Sequence, residues 1–405
     1  MVAHLLQGQA EFTLLESKDY MGGHTHTVDV EQAGESYAVD TGFIVFNPNT
    51  YPNFIRLLER LGVGWRDTEM SFSVSSERTG LEYAGTNLNT LFAQRRNLLR
   101  LSFMRMLREV LRFNREAQGW LNADRQDITL GEFLRAGAFS SEFIEHYLAP
   151  MAAAIWSADP GRITQFPAST FFRFFRNHGL LSASGHHTWR TVEGGSRAYV
   201  ERLVAPFRER IRLNAPVTSI VRHPDHVEVT VRGESPQRFD QVVIATHSDQ
   251  ALGMLADPSQ EEQEILGAIA YQPNEVVLHT DASLLPRNRR AWAAWNYRIA
   301  GDARQGATVT YDMSRLQGIE SPEPFCVTLN DSARIDSTRI LGQYRYNHPV
   351  FDQAAIAAQE RHGEISGQRR THYCGAYWGY GFHEDGVNSA LRVGRGLGLD
   401  VEQAL

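Results

Sequence analysis

Near the C-terminus, Cys374 through Gly386 place four glycines, four aromatics and the titratable trio His383, Glu384 and Asp385 within 13 residues. Glycine lets a backbone approach a ligand closely, and aromatics build a water-poor wall around it. His383 and Glu384 are candidates for moving a proton, because a partly buried imidazole or carboxyl has its pKa displaced toward neutrality. A surface loop is the alternative for this segment. Near the N-terminus, Glu16 closes the short apolar run that starts at Phe12. A carboxylate at such a strand end can accept hydrogen bonds from both ribose hydroxyls of an adenine dinucleotide; a plainly solvated glutamate is the alternative. Gly22-Gly23 follows six residues later. Two glycines let N–H groups reach a pyrophosphate, where a plain turn needs only one. Asp40-Thr41-Gly42 puts an acid and a glycine at a second strand end, beside a cofactor or in a β-bulge. Ala245-Thr246 ends a further strand with two small residues that a cofactor can lie against, or that simply close a β-meander.

These residues need elements to hold them. Phe12 to Glu16 reads as a buried parallel strand. Tyr37 to Phe46 reads as a strand broken at Gly42. Tyr51 to Leu61, Leu91 to Glu116, Thr129 to Ala154 and Ala168 to Phe175 read as helices. Between Val217 and Thr246 a period of two predicts three strands, Val217 to Ile220, Val227 to Val231 and Val242 to Thr246, with turns at Pro224-Asp225 and Gly233. His372 to Leu397 reads as strand, glycine-aromatic loop and a helix from Val387, whose N-terminal dipole favours an anion. The predicted fold class is α/β. A Rossmann-like domain would be assembled from residues 1–75, 200–255 and 365–405, and a mixed-sheet and helical substrate domain from residues 76–199 and 256–364.

Composition sets outer bounds. The 405 residues suit two intertwined domains, and 42% apolar with 21% charged residues is ordinary for a soluble enzyme. A net charge of −7 speaks against a nucleic-acid partner. Lys18 is the sole lysine, so a catalytic lysine has almost nowhere else to be; codon bias accounts for the skew. Cys326 and Cys374 show no ligand spacing, so neither a disulfide nor a metal site is expected, and a cytoplasmic location fits. No apolar run approaches the roughly 18–20 residues that span a bilayer, and nothing reads as a signal peptide. From Leu91 to Ala117, seven arginines against Glu109 and Glu116 leave a local charge of +5. A basic amphipathic helix of this kind can make peripheral contact with an anionic membrane; a core helix with a solvated arginine face is the alternative.

In Rossmann folds, Gly-x-Gly-x-x-Gly stands about 20 residues before the ribose-binding acid. Met1 to Leu15 hold only Gly8, so the first strand and the phosphate loop are expected to be missing, through an internal or misassigned start. Leu15-Glu16, Gly22 through Thr27, Val39 through Val45, Ala154-Ile155-Trp156-Ser157, Glu193-Gly194-Gly195-Ser196, Ala245-Thr246-His247 and Cys374 through Gly386 together resemble the flavin amine oxidase and phytoene desaturase superfamily. Within it, the chain is similar to a bacterial branch of FAD/NAD(P)-binding amine-oxidase-like proteins often encoded beside cyclopropane-fatty-acid synthase-like genes.

The resemblance implies FAD as cofactor. Glu16 would hold the adenosine ribose and Gly22-Gly23 the pyrophosphate, with His24, Thr25, Asp40, Thr41, Gly42, Ala245 and Thr246 in the same cofactor set. Val217 would meet the adenine edge through its backbone. Gly381 through Gly386 would lie near the ribityl chain and isoalloxazine. A Gly-Asp pair common in the family reads Gly375-Ala376 here, with Asp385 as a candidate substitute. Many amine oxidases place a lysine near the flavin; Lys18 falls near the ADP end instead. The expected function is therefore an FAD-dependent oxidoreductase that oxidises or desaturates an apolar, lipid-like substrate. A flavin amine oxidase and a non-catalytic flavoprotein-like binder are the alternatives. An NAD(P) reductase would need a second dinucleotide fingerprint, and the sequence shows none.

Overall fold

A computed structural model of the chain describes residues 1–123, 128–157, 161–182, 187–301 and 308–402. Short apolar runs without polar alternation form parallel strands, as their lack of a wet face requires. Leu14–Leu15 pairs with Ile211–Arg212, and Val242–Ile244 pairs with Thr371–Tyr373, both in parallel. The two pairs are separate sheets. An antiparallel meander of Val217–Arg222, Val227–Val231 and Gln237–Phe239 stands between them in sequence. This corrects the expected third strand: Gln237–Phe239, not Val242 to Thr246, completes the meander. Val242-Val243-Ile244 has no polar alternate residue and joins Thr371–Tyr373 instead.

The largest sheet has seven strands in the order Ile340–Pro349, Tyr271–His279, Cys326–Leu329, Val309–Asp312, Trp295–Ile299, Phe72–Ser76 and Glu82–Ala84. Neighbours are antiparallel except Trp295–Ile299 and Phe72–Ser76, which run parallel. Helices Leu101–Leu121, Leu130–Ala136, Ala149–Trp156 and Ala168–Asn177 share a core with it. Phe113, Phe143, Phe171 and Phe172 lie fully buried in that core.

Three helix boundaries differ from expectation, the first being the Thr129 to Ala154 stretch, which ends one helix at Ala136 before Gly137 and restarts at Ser141. The Leu91 to Glu116 stretch is broken at Arg100, which is extended between the 3-10 turn Arg95–Leu99 and the helix Leu101–Leu121. Buried Asn97 anchors the break while Leu98 and Leu99 turn outward. The C-terminal helix starts at His383, not Val387. The Asp385 carboxylate accepts hydrogen bonds from the N–H groups of Tyr380 (3.0 Å) and Phe382 (2.9 Å), which draws residues 383–386 into its first turn. Both cysteines are free and buried. Among the described residues, no helix is long and apolar enough to cross a membrane.

Candidate active site

Four stretches far apart in sequence meet through a short relay of side chains. The Thr25 hydroxyl lies 2.9 Å from the Tyr199 hydroxyl, which lies 2.5 Å from His383 Nε2. The Phe43 ring stacks on His383 at 3.8 Å between centroids. The Phe43 N–H donates to the His24 carbonyl at 2.8 Å. At Gly42 this approach is so close that a Cβ would collide with the His24 oxygen, so no other residue fits without a shift. Thr41 donates its hydroxyl to the His26 carbonyl at 3.0 Å and sits 2.7 Å from the Tyr346 hydroxyl. Gly22, Gly23, His24, Thr25, Thr41, Gly42, Gly381 and His383 are thereby one neighbourhood.

Glu16 and Val217 adjoin each other at a second point. The Ala215 N–H donates to the Glu16 carbonyl at 2.8 Å, two residues before Val217. The Glu16 carboxylate takes hydrogen bonds only on Oε1, from the Lys18 N–H (2.9 Å) and the Ser17 hydroxyl (3.2 Å), among the described residues. Ala245 and Thr246 follow the strand Val242–Ile244, and His247 beyond them reaches within 6.1 Å of the His24 ring. Gly375 donates its N–H to the Ser389 hydroxyl at 2.9 Å, and the Gly381 N–H donates to the Ala376 carbonyl at 3.1 Å. A Cβ at Gly23 or Gly386 would meet nothing within 4 Å, so the backbone there faces open space. An acceptor-ready Glu16 and two uncovered glycines are what a dinucleotide-linked flavin needs, and the residues fit that group.

Beside this neighbourhood lies a cavity of about 1060 Å³. His24, Gly42, Phe43, Gly381, Phe382 and His383 line it together with Tyr147, Trp156, Phe174, Trp295 and Tyr311. Burial drives its imidazoles down. His383 is lowered to about 3, His178 and His348 to about 4, and His24 well below its usual value, so all four are neutral at physiological pH.

Two expected site residues face elsewhere. The Asp40 carboxylate is fully buried and consumed by the Ser196 N–H (2.9 and 3.0 Å), the Ser196 hydroxyl (2.7 Å) and the Thr27 hydroxyl (2.5 Å). Burial raises it to about 6 against the pull of those donors. Glu384 accepts from the N–H groups of Asn53 (3.1 Å) and Phe54 (2.9 Å), satisfying the start of the helix Pro52–Leu61. Neither lines the cavity. Lys18 donates to the Tyr20 hydroxyl at 2.7 Å and lines a separate groove of about 640 Å³.

Tyr199, Tyr346, His348, Trp156 and Trp295 were not singled out as individual site residues from sequence. Tyr199 follows Gly194-Gly195-Ser196 by three residues, the one local signal that marks it. Tyr346 and His348 lie on an ordinary-looking alternating strand.

The model of a family described as flavin containing amine oxidoreductase matches residues 2–289. No curated protein matches by sequence. Solved structures with a similar fold include cyclohexylamine oxidase from Brevibacterium oxydans IH-35A, at 13% identity over 98% of this chain and 96% of that one (TM-score 0.68). A CLA-producing fatty acid isomerase from P. acnes is 16% identical over 97% of this chain and 94% of that one (TM-score 0.67). A reduced UDP-galactopyranose mutase is 15% identical over 99% of this chain and 94% of that one (TM-score 0.67).

Proposed function

Because the chain belongs to the flavin-containing amine oxidoreductase family and is thereby an FAD-dependent oxidoreductase, we propose that it oxidises or desaturates an apolar, lipid-like substrate. One observation carries the proposal: among its described lining residues the cavity has no Asp, Glu, Lys or Arg. A protonated amine brought into such a space finds no counter-charge, and burying an unpaired ammonium is costly. A hydrocarbon chain loses nothing there and gains about 25 cal/mol for each Å² of apolar surface removed from water.

The polar groups among the lining residues are hydroxyls, amides, indoles and imidazoles. Trp156, Trp295 and Asn114 are among the lining residues, and their Nε1, Nε1 and Oδ1 atoms are buried without a hydrogen-bond partner among the described residues. FAD, when bound, supplies a two-electron acceptor for a hydride from a substrate C–H bond. Glu16 would hold its ribose, Gly22 and Gly23 its pyrophosphate, and Gly381 through Gly386 would flank the isoalloxazine. His383, neutral and tied to Tyr199, orients that flank without adding charge. Glu384 acts through the helix it caps and is a positioning residue rather than a proton carrier.

The test is anaerobic bleaching of the flavin absorbance band in FAD-loaded protein. Fatty-acyl phospholipids or their free acids should bleach it, and primary amines should not. Bleaching by an amine such as cyclohexylamine, with none by lipids, overturns the substrate class and returns the chain to amine oxidation. Failure to take up FAD at all overturns the whole reading.

A further inference from the structure

We propose that the surface built by residues 88–115 docks on an anionic phospholipid bilayer and opens the cavity onto the leaflet. The helix Leu101–Leu121 buries Phe103, Met106, Phe113 and Ala117. On its outer side Leu101, Met104, Arg108, Leu111 and Arg115 succeed one another at spacings of three and four, which makes them a single ridge. Leu99 and Leu101 are 88% and 82% exposed, and Leu88, Leu98 and Leu111 are exposed with them. Exposed leucines scattered singly need no explanation, but a contiguous group does.

The charge around these leucines is all of one sign. Arg108 and Arg115 are exposed and have no acidic partner among the described residues. Arg95 and Arg96 donate to the neutral carbonyls of Phe92 (2.7 Å) and Gly80 (3.0 Å), so their charge is not cancelled. The acids lie on the other flank, where Glu142 pairs with Arg105 and Glu109 and Glu116 pair with Arg112. Leucines rimmed by uncompensated guanidinium groups complement the negative surface of an anionic leaflet. A second copy of the chain fits poorly, because it would set like charges against each other.

Position gives the surface its use. Leu88 and Leu111 are exposed and also line the cavity, beside Leu91 and Leu107. The cavity mouth therefore lies inside the apolar patch, and a ligand leaving the bilayer reaches it without crossing water. The inference deepens the lipid reading and rests on it only for the identity of the cargo.

The experiment is sedimentation of the FAD-loaded full chain with vesicles of equal parts phosphatidylcholine and phosphatidylglycerol, against vesicles of phosphatidylcholine alone. Partition should favour the anionic vesicles by about ten-fold or more and weaken as salt is raised. Leu99→Glu with Leu101→Glu, and separately Arg108→Glu with Arg115→Glu, should each lose about ten-fold in partition while keeping the flavin spectrum. Equal binding to both vesicles, no binding at low salt, or wild-type binding by both variants overturns the proposal. So does a dimer in solution that the same substitutions dissolve. If docking fails while detergent-dispersed lipid still bleaches the flavin, the docking surface alone falls. If docking holds while no lipid bleaches it, the substrate reading alone falls.

Discussion

The seven-stranded sheet and the two parallel strand pairs are held together by opposite means. The large sheet is one continuous ladder from Ile340–Pro349 to Glu82–Ala84, sealed by a phenylalanine-rich core. The parallel pairs are only two and three residues long and do not bond to each other. Buried polar contacts between distant residues hold their surroundings instead. Arg222 meets Glu262, which also accepts from the Tyr373 hydroxyl at 2.6 Å. Asp40 clasps Ser196, and Glu384 clasps Asn53 and Phe54. Apolar burial shapes the side that would take substrate, and satisfied polar groups position the side that would take cofactor. His178, His279 and His348 are buried on the first side and Asp40 and Asp385 on the second, so acid acts on the two sides with opposite sign.

The largest effect that can break this contrast is collective and comes from acid. Burial lowers His24, His178, His279, His348 and His383 below the ordinary imidazole value of 6.5, the last four to between about 3 and about 4. The fold thus prefers each imidazole neutral. Its contribution is whole above 6.5 and is lost as pH falls toward the folded value. Asp40 and Asp385 oppose this: burial raises both to about 6, so between about 4 and 6 the folded state holds protons the unfolded state has released. Acidification through that window therefore favours the fold at those two groups. A tenfold change in a group's proton affinity is worth about 1.4 kcal/mol, and five histidines outweigh two aspartates. The urea midpoint should fall steadily from neutral pH to about pH 4, and His178→Gln with His348→Gln should flatten the slope. A midpoint that holds or rises on acidification breaks the comparison.

Next in size is a matched pair of single substitutions. Arg222→Ala leaves the Glu262 carboxylate buried without its cation, which should cost about 3–5 kcal/mol in chemical denaturation. Phe172→Ala opens a hole in the aromatic core and should also cost about 3–5 kcal/mol. The two differ in rescue. Adding Glu262→Leu to Arg222→Ala removes the stranded charge and should recover much of the loss. Removing a neighbouring ring from the Phe172→Ala background only enlarges the hole. Equal additivity in both pairs would erase the distinction between polar and apolar cohesion.

What could be read from sequence follows the same division. Gly22-Gly23, Gly42 and the Gly375 to Gly386 stretch stood out because close backbone approach leaves a compositional mark. The structure shows that crowding directly at Gly42, where the His24 carbonyl leaves no room for a Cβ. Helical periodicity located Pro52–Leu61 and Ala168–Asn177 to within a residue or two. The Tyr199 relay was not legible, since it joins residues 25, 199 and 383 through the tertiary fold alone. Asp40 and Glu384 stood out as candidate site acids, one beside a cofactor and one for moving a proton, but their partners were not legible. Each spends its carboxylate on N–H groups more than a hundred residues away. The Arg100 break was missed because no proline or glycine marks it.

The smallest expected effect isolates one carboxylate on the side that would take cofactor. Asp385 gathers the Tyr380 and Phe382 N–H groups and so sets the loop that ends at His383. Asp385→Asn keeps the size and one acceptor oxygen, and should cost about 1 kcal/mol, as loss of a helix-capping contact does. Thermal midpoints should therefore barely move, while FAD is retained less tightly because the loop beside Gly381 is less fixed. Burial already raises this carboxyl to about 6. Below that pH the wild-type group is protonated and resembles the amide, so wild-type FAD affinity should decline toward the variant's as pH drops through about 6. The variant, with nothing to titrate at that position, should show no such step. If both proteins lose FAD along the same pH curve, the loop is set by something other than Asp385.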